Sequence, residues 1–213
     1  MSISVHERFV EWGTSGGVLQ HGEEAEPFSL QAMSYSATEE FVAEVEVLVT
    51  EGHSLRDAIA AAKTSGAGGR ERTFTLGNDA IVVDGTDIAG AGRAVDLLKT
   101  VRGLTERPRR ILVATGAIGL SGDSDYDSLE ALGAVMVRLN VDLVVAVGPA
   151  ARSIFLSVGR EGSWDGESQH CDDVARAYDV VHAYMGPGDV LVLIGGVGES
   201  LAPLRDLVVE GAA

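Results

Sequence analysis

A single cysteine, Cys171, stands among the 213 residues of the chain. An internal disulfide and a multi-cysteine metal cage are thereby excluded, which agrees with a reducing compartment. Basic residues are also scarce: 16 Lys and Arg face 32 Asp and Glu, for a formal charge of −16. A surface this negative repels phosphate backbones and anionic headgroups, so neither nucleic acid nor membrane is an expected partner. The best basic cluster, Arg107 to Arg110, is short. No apolar stretch approaches the roughly 20 residues that a membrane span needs, and residues 1–8 lack the apolar core of a signal peptide, so the expected location is the cytoplasm. The Gly-x-x-x-x-Gly-Lys-Ser/Thr phosphate loop is missing as well. Trp12-Gly-Thr-Ser-Gly-Gly lacks its lysine, and Gly90-Ala-Gly92 and Gly195-Gly-Val-Gly198 match the dinucleotide fingerprint only loosely.

What the chain has in excess is glycine, 27 residues. So many glycines mark either phosphate-cradling loops or tight connections in an α/β fold. With 46% hydrophobic and 23% charged residues, the balance is that of a globular protein able to bury a sizeable core.

The first thirty residues read as a poorly packed lead-in or an edge hairpin, with no function assigned. From Ser36 a helical pattern places Phe41, Val45, Leu48 and Val49 on one face, and Gly52 ends it. Ser54 caps a second helix carrying Leu55, Ile59 and Ala62, with Asp57 in its first turn. The glycine cluster 66–69 is the candidate hinge, which divides the chain into an N-terminal αα segment, 1–65, and an α/β domain, 66–213. Thr73-Phe-Thr-Leu, Gly77-Asn78 and Ala80-Ile-Val-Val-Asp84 read as a β-hairpin. Beyond it, helices at 89–101, 126–139, 150–157, 171–185 and from 200 alternate with apolar strands at 110–115, 143–147 and 190–194. Continuous apolar strands separated by helices predict a Rossmann-like, mostly parallel sheet with helices on both faces, preceded by a small helical segment.

Isolated candidates for chemistry are few. Adjacent His170 and Cys171 point to opposite faces of an extended segment, which favours a buried thiol beside a surface histidine over a nucleophile pair. The acidic run 123–127 reads as the first turn of a helix rather than as a cation site. Trp164 reads as a loop anchor.

Taken in order, the pieces resemble the C-terminal domain of the Mur ligase family, the ATP-dependent acid–amino acid ligases of peptidoglycan synthesis, and most of all its D-alanyl-D-alanine-adding members. The resemblance spans residues 53–210. It rests on Gly69-Arg70-Glu71-Arg72 before the hairpin, Asp84-Gly-Thr-Asp87-Ile-Ala-Gly90 opening a helix, Arg110-Ile-Leu-Val-Ala-Thr-Gly116, Leu132-Gly133, Val141-Asp-Leu-Val-Val-Ala-Val-Gly148, and Gly186-Pro-Gly188-Asp189-Val-Leu-Val-Leu. The family's arginine and aspartate at the positions of Arg70 and Asp84 lie near ATP, so the resemblance implies that both face nucleotide. By the same resemblance Asp87, Gly116 and Ser121 face the incoming amino substrate. The alternative for Arg70 and Asp84 is a salt bridge fixing the hairpin against the first helix.

Departures from the family are specific. Asp87 and Gly90 stand where it has Asn and Pro. Thr115-Gly-Ala-Ile-Gly-Leu-Ser-Gly122 replaces Gly-Asp-Met-x-Glu-Leu-Gly, and Ile194-Gly-Gly-Val197 replaces Lys-Gly-Ser-Arg. Gly90, Gly116, Gly119 and Gly196 therefore read as eroded side-chain chemistry. The phosphate loop, magnesium ligands and carbamylated lysine of the family's central domain have no counterpart here. The resemblance implies the substrate-binding part of a split ATP-dependent amide ligase, inactive alone, with ATP and magnesium supplied through a separate ATP-binding subunit. Two alternatives stand beside it. One is a non-catalytic structural or regulatory module, a homo-oligomer joined through its acidic N-terminal helices. The other is a small-molecule enzyme using the crevice of a parallel sheet.

Overall fold

Glycine turns at Gly13 and Gly22, with φ of 75° and 64°, fold the first thirty residues back on themselves twice. In the computed structural model, which describes residues 2–68, 71–116, 118, 124–160, 164–195 and 200–211, these turns link three strands. They are β1 (Ser4–Glu11), β2 (Thr14–His21) and β3 (Glu24–Leu30), an antiparallel sheet with β2 in the centre. Helices α1 (Tyr35–Thr50) and α2 (Leu55–Ser65) follow, capped by Ser34 and Ser54 as N-cap residues commonly are. Leu19, Phe28, Leu30, Phe41, Val45, Leu55 and Ile59 close one core, in which Phe28 and Phe41 stack at 5.2 Å.

The helices lie close to their expected places, and the first thirty residues, read as a poorly packed lead-in or an edge hairpin, form a packed three-stranded sheet in which the hairpin β1–β2 is extended by β3. The sheet escaped because its central strand carries Gly16 and Gly17, which interrupt the apolar alternation that marks a strand. Their bareness is steric: a Cβ on Gly17 would lie 2.7 Å from the His6 carbonyl oxygen, and one on Gly16 would strike the Phe28 carbonyl. A bulge between His6 and Phe9, with Glu7 at φ 50°, breaks the pattern of β1 too.

The chain separates into two compact units, residues 1–72 and 73–213. The second is built on a six-stranded sheet in the order β4 (Arg72–Thr75), β5 (Ile81–Gly85), β9 (Val190–Ile194), β6 (Ile111–Thr115), β7 (Leu143–Val147) and β8 (Glu167–Cys171). The pairs β5–β9, β9–β6, β6–β7 and β7–β8 are all parallel. Every residue of β5, β6, β7 and β9 is buried, as the continuous apolar runs predict. The segment 167–171, for which the pattern predicts no strand and whose last residue it reads as the start of a helix, is the edge strand β8. Its Glu-Ser-Gln-His-Cys sequence lacks an apolar run because an edge strand is only half covered.

From β5 the chain steps through α3 (Ala91–Leu104), β6, α4 (Ser124–Arg138), β7 and α5 (Arg152–Arg160) to β8, always in one direction. Right-handed crossovers therefore put α3, α4 and α5 on one face, where they pack in a row. The return from β8 to β9 reverses the direction. It places α6 (Val174–Tyr184) on the other face, beside α7 (Ala202–Gly211). No helix among the described residues is long and apolar enough to cross a membrane.

Candidate functional site

The outgoing connections of β5 and β6 lie on one face of the sheet, and that of β9, which runs between them, lies on the other. Such a reversal opens a crevice beyond the carboxyl ends of the strands, the usual ligand position in an open α/β sheet. Backbone hydrogen bonds align its floor: Gly195 N–H donates to Gly85 O at 3.2 Å, and Gly116 N–H donates to Ile194 O at 2.9 Å.

Asp84 ends the apolar run of β5 at this floor and is 5% exposed. Its Oδ1 accepts from the Thr86 hydroxyl at 2.7 Å and from the Thr86 N–H at 3.2 Å. Its Oδ2 accepts from Arg205 Nη1 at 2.9 Å. Burial pushes the carboxyl up, but the Thr86 hydroxyl, Arg205 and the Thr86 N–H outweigh it and hold Asp84 below its ordinary value. Arg205 in turn gives Nε and Nη2 to Asp206 Oδ1, both at 2.8 Å.

Arg205 is the member of this cluster that sequence reasoning missed. A signal was present: a cation in the first turns of a helix opposes the positive end of the helix dipole, so an arginine four residues into α7 calls for a carboxylate partner. Asp84 does hold a salt bridge, but its partner is Arg205 of α7, a different contact from the expected tie between the hairpin and the first helix.

Of the residues assigned by resemblance, the structure brings three to one edge: Asp84, Asp87 in the loop after β5, and Gly116 immediately after β6. Arg70 and Ser121 lie outside the described residues, as does Asp123 of the acidic run. Among the described residues of this edge, Asp84, Asp87 and Asp206 gather about Arg205, and Arg93 stands in the first turn of α3. Three carboxylates beside two guanidiniums leave little positive charge for the phosphates of ATP, and a polyphosphate here would need cations from elsewhere.

The opposite pole of the sheet holds a structural pair. Arg110 Nε donates to Asp189 Oδ1 at 3.2 Å, and its Nη2 donates to the Tyr184 carbonyl at 2.8 Å. Asp189 also caps its own turn by accepting from Gly186 N–H at 2.7 Å. The remaining candidates are structural as well. Cys171 is buried while His170 turns away to reach Gly148 O at 2.9 Å, and Trp164 Nε1 anchors its loop on Val141 O at 2.8 Å.

A parallel α/β domain with a ligand crevice beyond β5, β9 and β6, joined to a small sheet-and-helix unit, is the class of protein that the fold defines. The chain resembles the C-terminal part of the Mur ligases in both sequence and fold. It is 31% identical over 108 residues to the UDP-N-acetylmuramoyl-tripeptide–D-alanyl-D-alanine ligase of Mycobacterium leprae, a stretch covering 49% of this chain and 21% of that protein. The MurF crystal structure from Acinetobacter baumannii superposes on 98% of the chain with a TM-score of 0.75 and 18% identity. The MurF ligase from Thermotoga maritima, crystallised with ADP, matches 98% with a TM-score of 0.67 and 14% identity. The chain spans only 45% and 46% of those two solved proteins. No family model matches the sequence.

Proposed function

We propose that this chain is the substrate-binding part of an ATP-dependent amide ligase, with the phosphate loop and magnesium site supplied by a separate ATP-binding polypeptide. The observation that carries the reading is the position of Asp84: a buried, ionised carboxylate at the crevice of a fold shared with D-alanyl-D-alanine-adding ligases. The excess of carboxylate over guanidinium around it suits an amine-bearing substrate, and D-alanyl-D-alanine is the substrate class that the relatives' names supply. In this reading the acyl phosphate forms on the partner. The amine, once its ammonium proton has passed to solvent, attacks the acyl carbon; the new C–N bond replaces the C–O bond to phosphate, inorganic phosphate leaves, and the second nitrogen proton is lost to the departing phosphate. Asp84, which the resemblance sets beside nucleotide, is assigned here to the amine side instead, where with Asp87 it attracts and orients the amine while Arg205 fixes it in place. By the resemblance Arg70 is assigned to the nucleotide, and Gly116 and Ser121 to the amino substrate.

The purified chain, mixed with ATP, magnesium, the carboxylic acid substrate and D-alanyl-D-alanine, releases neither ADP nor phosphate in this account. A complex isolated with its ATP-binding partner, given the same acid, releases inorganic phosphate in multiple turnovers only when the dipeptide is added. ADP release by the chain alone contradicts the dependence on a partner. Equal release by the partner without the chain contradicts any role in the reaction.

A second reading is favoured by a different observation. Both oxygens of Asp84 already hold internal partners, and Ile194 and Val197 replace the family's cations. A non-catalytic binding or regulatory module that kept the fold, as a homo-oligomer, matches that erosion. In that case dipeptide binding persists while no partner complex releases ADP.

A further inference from the structure

In a chain with twice as many acids as bases, four of the 16 basic residues fall within nine positions, Arg102, Arg107, Arg109 and Arg110. Arg110 is committed to Asp189. The other three line a concave groove of about 250 Å³ with Pro108, Asn140 and Asp142. The groove sits at the amino-terminal pole of the sheet, between the end of α3 and the start of β6. The length of the strands separates it from the Asp84 crevice, about 17 Å for a five-residue strand.

Its three guanidinium groups stand in different states. Arg102 is half-buried and held in place by its Nη2 donating to the Thr105 carbonyl at 2.6 Å, which offsets the negative carboxyl end of α3. Arg107 and Arg109 project from the turn that Arg109 N–H closes onto Glu106 O at 3.1 Å. Among the described residues neither has an ion-pair or hydrogen-bond partner for its side chain. With acids abundant everywhere else on the chain, two unpaired cations held against a third in a concavity are the arrangement that an added anion completes. One acid lines the groove, Asp142, and its Oδ2 is engaged by the Ile111 N–H at 2.8 Å. The Asn140 amide adds a neutral donor to the lining.

We infer that this groove is a binding site for a small diphosphate anion. Guanidinium forks grip phosphate oxygens in pairs, and the volume admits a diphosphate but not a folded partner. The site is independent of the proposed ligase role, because it shares no residue with the Asp84 crevice.

The test is calorimetric titration of the full chain with inorganic pyrophosphate and with its methyl ester, alongside backbone NMR shifts. Arg107→Glu/Arg109→Glu reverses two exposed charges and leaves the fold intact, as its melting curve checks. Arg152→Glu/Arg176→Glu makes the same change of net charge at the opposite, carboxyl pole of the sheet, where α5 and α6 begin. The expected result is saturable pyrophosphate binding that weakens with salt, shifts centred on residues 102–109 and 140, and a loss of about tenfold or more in affinity in the first variant only. Equal affinity for the ester assigns an organic diphosphate as an acceptable ligand, and rejection of the ester assigns the free anion. No binding to the unmodified chain, or equal loss in both variants, overturns the inference.

Discussion

Arg205 Nη1 lies 2.9 Å from Asp84 Oδ2, tying helix α7 to the carboxyl end of β5 across 121 positions of sequence. Removing Arg205 leaves a buried carboxylate with only Thr86 to hold it. Arg205→Met is expected to lower stability by about 2 to 4 kcal/mol at neutral pH, measured by urea unfolding. Arg205→Lys recovers part of that loss, because a lysine supplies the charge without the fork to Asp206.

The same pair sets a pH dependence. The Asp84 carboxyl sits below its ordinary value of 3.8 in the folded chain, so the folded state releases this proton more readily than the unfolded one. Its contribution to stability is complete above about pH 4 and is lost as pH falls through the lowered folded value. The stability gap between the unmodified chain and Asp84→Asn is therefore expected to narrow as thermal melts are taken from pH 5 down to about pH 2. A gap constant across that window contradicts the ionised pair.

Two glycines separate steric need from mere bareness. A Cβ on Gly85 would lie 2.9 Å from the Ile88 and Leu97 side chains and from the Leu193 carbonyl, whereas one on Gly92 of α3 meets nothing within 4 Å. Gly85→Ala is expected to destabilise by about 1 to 3 kcal/mol. Gly92→Ala is expected to be neutral or to stabilise by up to about 1 kcal/mol. Paired denaturant melts read both.

In the N-terminal unit, the buried Glu71 accepts from Met33 N–H and Ser34 N–H, both at 3.1 Å, and from the Ser34 hydroxyl at 2.9 Å. That same hydroxyl accepts from Ala37 N–H to cap α1. Glu71→Ala is expected to cost about 3 kcal/mol through stranded donors, visible as a lowered urea midpoint.

Cys171 is buried, and burial pushes its thiol up. It should resist Ellman's reagent in the native chain at pH 7.5 and react fully in guanidinium chloride. Fast native labelling contradicts the buried placement.

The strands β5, β6, β7 and β9 were legible because full burial on both faces writes itself as an unbroken apolar run, and the helices between them because their caps and periodicity are local. The sheet β1–β3 was not, since close backbone approach demanded glycine where alternation would show. Nor was β8, whose edge position frees it from the apolar rule. At the site, Asp84 stood out by its place at a strand end and by family likeness. Arg205 did not, because the contact that defines it spans 121 positions and leaves only the odd charge at the start of α7 as a trace. The glycine excess divides along the same line: Gly17 and Gly85 are required by contacts that a sequence does not display, whereas Gly90 meets open space and fits the loss of a functional side chain.

The most direct test of the ligase reading is titration of D-alanyl-D-alanine into the isotope-labelled full chain, followed by NMR. Saturable shifts centred on residues 84–87, 115–116, 195 and 205, and their loss in Asp84→Asn, are the predicted result. A chain whose spectrum is unmoved by the dipeptide, or moved only away from that edge, contradicts the assignment of the crevice as the amino-substrate site.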